Sequence, residues 1–265
     1  MTNVQRQLKS RTTILALTAS FAALYAILRL IPVNPMIGMI GNFPVSDYVA
    51  PLWGLVLGPY IGPISIVLGT FISIFLGRPS FFFGLDFLPA AMDALIVGLI
   101  VKRRFSYAII IYIILLILFI ANPITLIFVE LNNVFVPYNW LHIIGLIVLI
   151  SPLSRKALKW IHSPIPHTTN YNFKLQKIAN FVLKTRGMLI LCFIGSLSQH
   201  LTGGMLFSLM GLMGMITMES WPVIWTSIFY IYPIERTLMT IVAAIVGSTS
   251  FRILNKWLNQ VGINN

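Results

Sequence analysis

Acidic residues are scarce, six in 265 positions against eighteen Lys and Arg. Metal-dependent phosphoryl or prenyl chemistry draws its ligands from clustered carboxylates, and the chain has no carboxylate-rich DxxxD pair, so that chemistry is poorly supplied. Cysteine is scarcer still: Cys192 stands alone in the apolar run MLILCFIG. That excludes an intrachain disulfide and a CxxC metal pair, and it suits a small buried apolar residue. HExxH, Walker A and GxSxG are missing as well, so the expectation is a protein without enzymatic activity or cofactor, with no ATP site of its own. Charge of either sign makes up only 9% of the residues, where soluble domains carry about 25%. No polar stretch is long enough for a separate soluble domain, and residues 1–265 read as one unit.

What fills the space is apolar. Hydrophobic residues are 58% of the chain and the mean hydropathy is +0.90, which predicts an all-α, polytopic transmembrane helical bundle. A crossing needs about 20 apolar residues. Candidate runs lie at 13–31, 46–58, 60–77, 85–101, 105–122, 139–152, 187–206 and 223–248, eight in all. The first has the basic flank of a signal peptide, but its apolar part is longer than the usual signal core and reads as an uncleaved span.

The net charge of +12 does not point to nucleic acid, because the charges sit in short segments between apolar runs. With the N-terminus in the cytoplasm, Arg6, Lys9 and Arg11 fall inside, followed by Lys102, Arg103 and Arg104. The segment 153–186 then contributes seven more, and Arg252 and Lys256 close the chain, giving fifteen of the eighteen basic residues. No acid falls on that side, so the positive-inside rule favours a multi-pass protein of the cell membrane with both termini cytoplasmic. Residues 153–186 read as a basic cytoplasmic loop whose flanks, with Lys174, Lys177 and Lys184, could form amphipathic helices on anionic lipid. His162 and His167 lie in it with nothing nearby to complete a metal site.

Three features can carry function. In ALTASFAALYA, Ala19, Ala22, Ala23 and Ala26 recur at four-residue intervals, and such small residues let another helix approach closely, within the bundle or from a partner. The external segment RLIPVNPMIGMIGNFPVSDYVAPLWG is rich in Pro and Gly and holds Arg29, Asn34, Asn42, Asp47 and Tyr48, a mixture that favours ligand contact. In LGPYIGPISIVLG, Gly58-Pro59 reads as a tight cytoplasmic hairpin, Gly stopping one helix and Pro opening the next.

Charged groups inside apolar runs are costly and tend to face an interior or a cavity. Asp93 and the adjacent Glu235-Arg236 are the clearest cases; Arg78 and Asp86 bracket the outer hairpin GRPSFFFGLD, and Gln199 and His200 lie within the seventh run. An outward-opening pocket lined by these groups with Trp140, Trp221 and Tyr232 would suit a small organic ligand. Structural pairing, such as Arg236 with Asp93, is the simpler alternative. A lone His200 fits a packing residue better than a ligand contact.

The alanine-rich LALTASFAALYAIL, the loop GNFPVSDYVAPLWG, the GLVLGPYIGPISIVLGTFIS stretch and FLPAAMDALIVGLIVKRR together resemble the substrate-binding S components of energy-coupling factor (ECF) transporters. The resemblance is best over 12–104. It implies a non-enzymatic subunit that captures a vitamin-like micronutrient from outside, driven by a transmembrane coupling protein and two ATPase subunits. Carried over by position, Ala19, Ala22, Ala23 and Ala26 would dock on the coupling protein, and Asn42, Asp47 and Tyr48 would belong to a lid. The family usually has six helices, so residues 105–152 look like an inserted hairpin. The competing expectation is a stand-alone secondary transporter that uses Asp93, Glu235 and Arg236 as a relay.

Overall fold

The computed structural model describes residues 3–37, 41–131, 133–162, 173–214 and 220–260, with side chains described from residue 11 to residue 250 within those segments, except at 173–177. His167 and Glu219, and the side chains of Arg6, Lys9, Lys174, Lys177, Arg252 and Lys256, fall outside them. Among the described residues eight helices and two small hairpins follow one another. Each of the eight apolar runs coincides with helix, but among the described residues only four helices are long and apolar enough to cross a membrane, or five if one bent pair counts as a single span.

Helix α1 (Asn3–Arg29) leads into an antiparallel hairpin, β1 (Pro32–Pro35) and β2 (Asn42–Pro44), and then into α2 (Val45–Phe75). Helix α2 consists of two helical halves joined at Gly58, and it contains two apolar runs because the backbone turns back on itself there. The torsions there are φ 80° and ψ −173°, a conformation that a side chain disfavours. A Cβ on Gly62 would stand 2.7 Å from the Trp53 carbonyl oxygen, a proximity that a straight helix, rising 1.5 Å per residue, forbids. Pro59 opens the second half, where a missing N–H costs little. The expected tight hairpin at Gly58-Pro59 is therefore present.

Helix α3 (Leu88–Val101) crosses this hairpin at close range. Gly54 lies against the Ala94 carbonyl and Gly98 against Gly58-Pro59, leaving no room for a Cβ at either glycine. Its fourteen residues span about 21 Å, short of the roughly 30 Å hydrocarbon core. Helix α4 (Phe105–Ala121) and the hairpin β3 (Phe128–Leu131)–β4 (Val134–Pro137) follow, then α5 (Trp140–Ile150) and α6 (Pro152–His162), which meet at 66° where Pro152 interrupts the helix. Helices α7 (Phe173–Leu212) and α8 (Trp221–Gln260) complete the bundle.

Both flanks of 153–186 are helical, as expected: α6 buries Ser154, Ala157, Leu158 and Ile161 and exposes Arg155, Lys156 and Lys159, while 173–186 are the first turns of α7. Charge lowered the hydropathy of these segments without breaking their helical pattern. The four alanines singled out in α1 do not share one free face. Ala22 and Ala26 are buried within the protein's own bundle, with Gly69 of α2 against the Ala22 carbonyl, and of the four only Ala19 and Ala23 are exposed.

Candidate functional site

The Gly58 reversal makes the second half of α2 run back about 25 Å to the end where α1 finishes. Three arginines and three carboxylates meet there. Arg29, 3% exposed, closes α1 and lies 3.4 Å from Asp86 and 3.9 Å from Asp47. Asp47, in the first turn of α2 where a helix N-terminus favours negative charge, also accepts from the Tyr25 hydroxyl at 3.3 Å. Asp86 accepts the backbone N–H groups of Phe81 and Phe82 at 2.9 and 3.2 Å and the Ser80 hydroxyl. These bonds hold the turn that connects α2 to α3.

From the same turn, Arg78 donates to the Asn42 carbonyl at 2.7 Å and so ties the turn to the β1–β2 hairpin. Burial, with the neighbouring Arg29 charge, lowers the Arg78 pKa from its ordinary value. Across the bundle, Arg236 on α8 pairs with the preceding Glu235 at 2.8 Å and lies over the Phe43 ring. Asn34 of β1 reaches Glu235 at 3.5 Å and accepts from Tyr48 at 2.7 Å. The hairpin is thereby fastened to both sides of a cavity of about 990 Å³, counting its open mouth.

The lower wall is aromatic. Phe207 and Trp225 form an edge-to-face pair, and Tyr232 stacks on His200 at 4.7 Å between ring centroids. His200 borders the cavity, and one of its ring nitrogens lies 3.0 Å from a ring nitrogen of His142 on α5. The packing expected of His200 is thus supplied by a second histidine that the sequence reading did not single out, since 58 positions separate the two.

Of the residues predicted for a binding site, Arg29, Asp47, Arg78, Asp86, Tyr232, Glu235 and Arg236 line this cavity. Tyr48 touches it only through Asn34, and Asn42 contributes its carbonyl to Arg78 from an exposed position. Three others do not line it. Trp140 packs against the core, and Trp221 donates to the Ile124 carbonyl at 2.6 Å. Asp93 is fully buried where Gly195 of α7 approaches it, with no hydrogen-bond partner on either oxygen, and its pairing with Arg236 is replaced by the Glu235–Arg236 contact. The aromatic lining, Phe43, Phe81, Phe82, Phe207 and Trp225, went unread because aromatic residues are common throughout the chain; three of these five sit within a few positions of a predicted polar residue or hairpin.

Among the described residues no group of three or more His, Cys, Asp or Glu could hold a metal ion. No protein-family model matches the sequence, no curated protein matches it, and no solved structure matches its fold.

Proposed function

We propose that this chain is the substrate-capturing membrane subunit of an ECF-type uptake system, binding a vitamin-like micronutrient from the external side. The observation that carries the reading is the cavity itself: a partly open chamber at one end of an apolar helical bundle, walled by aromatics, rimmed by charge and bordered by a hairpin that follows the first helix. Such a chamber suits capture of a small organic molecule. In this reading the chain crosses the cell membrane eight times, α2 contributing two crossings and α5–α6 one bent one, with both termini cytoplasmic. Residues 105–152 add a helical pair to a six-helix core.

Transport would be driven by a separate coupling protein and two ATPase subunits. The exposed Ala19 and Ala23, flanked by Leu15 and Ile27, offer α1 as the docking face. The test is co-expression with candidate coupling subunits. Ala19→Leu with Ala23→Leu is expected to abolish co-purification and ATP-dependent uptake while ligand binding survives. Uptake into vesicles that proceeds unchanged without ATP would overturn the proposal.

One observation favours a second reading, a gradient-driven transporter: Asp93 lies fully buried in α3 without a hydrogen-bond partner or an ion pair among the described residues. That reading predicts loss of gradient-driven uptake on Asp93→Asn, whereas the capture subunit would keep its ATP-dependent uptake.

A further inference from the structure

The hydrogen-bonding capacity left over in the cavity is unequal between donors and acceptors. Each carboxylate is engaged by at least two protein donors: Asp86 by Arg29, Ser80 and two backbone N–H groups, Asp47 by Arg29 and Tyr25, Glu235 by Arg236 and Asn34. The arginines are not used up in the same way. Among the described residues, the buried Nε–H groups of Arg29, Arg78 and Arg236 and the indole N–H of Trp225 have no acceptor. Against these four donors, the described buried lining residues leave one unmatched acceptor, the Gln199 side-chain oxygen. Buried polar groups in folded proteins are almost always paired, so a well-fitting occupant complements what the protein leaves open.

Charge points the same way. Among the described residues Arg29 and Arg236 each have a carboxylate within 4.0 Å, whereas Arg78 has only the Asn42 carbonyl. The Arg78 cation is thus the one that an occupant can still neutralise, and a guanidinium binds a carboxylate with two parallel hydrogen bonds. Trp225, Phe207 and Tyr232 line the same cavity as the arginines and add an aromatic wall that suits a flat ring.

We propose that the captured molecule is a compact ring compound that carries one anionic group, held by Arg78, and further hydrogen-bond acceptors for the remaining donors. Organic cations are disfavoured because every carboxylate in the cavity is already engaged. This inference rests on the capture reading and narrows it to a chemical class.

Three isosteric probes test it on the purified full chain: benzoate, benzamide and protonated benzylamine, compared at millimolar concentration by thermal unfolding and by saturation-transfer NMR. Benzoate is expected to bind best, benzamide next, and benzylammonium not at all. Arg78→Gln should weaken benzoate about tenfold or more, to the level of benzamide, while leaving benzamide unchanged. Arg78→Lys should restore part of the difference, and Trp225→Phe should weaken both. Preference for benzylammonium, abolished by Trp225→Phe, would overturn the anionic class while leaving the cavity as a capture site. Benzoate binding that is indifferent to Arg78→Gln would overturn the role of Arg78. No binding by any of the three would overturn the anionic ring class, while the capture reading stands or falls separately on co-purification and ATP-dependent uptake.

Discussion

Both ends of the bundle carry charge, and they use it differently. At the cavity end, three arginines and three carboxylates are buried or half-buried and interlocked through side chains and backbone. At the end marked by Gly58, the basic residues stand exposed: Arg104 reaches the Tyr60 hydroxyl at 2.5 Å, Arg155 lies over the Phe105 ring, and no described acid is nearby. One end builds a chamber out of its charges. The other leaves them exposed, with contacts such as Arg104 to Tyr60 and Arg155 to Phe105 made at the surface.

The largest effect expected from that difference follows from breaking the buried cluster. Arg29→Met leaves Asp86 and Asp47 without their shared cation, and removing one partner of a buried pair costs about 3–5 kcal/mol. Thermal unfolding in detergent should show the loss, and Asp86→Asn in the Arg29→Met background should recover part of it. An intermediate effect is expected where neither end is touched directly. In Gly54→Leu the side chain meets the Ala94 carbonyl of α3, and overpacking of this kind costs about 1–3 kcal/mol; it should loosen the α2–α3 contact and weaken ligand binding as Asp47 shifts. The smallest belongs to the exposed end, where Arg104→Gln removes a surface contact worth about 1 kcal/mol or less. A shift from Arg104→Gln as large as that from Arg29→Met would erase the distinction between the ends.

Much of this pattern was legible before any coordinates. Rarity made the intramembrane charges conspicuous, and seven of the twelve residues chosen largely on that ground line one cavity. Gly58-Pro59 announced its turn through conformational preference alone. Rotation about a helix axis was harder to read, because a uniformly apolar helix has no polar face to betray its inner side. Asp93 therefore went to the α7 contact and Trp140 to the core instead of the cavity, and two of the four α1 alanines turned inward. The His142–His200 contact joins helices far apart in sequence, and no local pattern encodes such a meeting. At α7 hydropathy marks only the apolar part, and the basic first turns continue the same helix without a break.

Between Asp47 and Arg78 there is no charged residue at all. A straight helix through that stretch would hold the two about 45 Å apart, at opposite ends of the bundle. A single backbone torsion at Gly58, remote from the cavity, doubles the path back, so the meeting of these two charges is decided by a residue that touches neither of them.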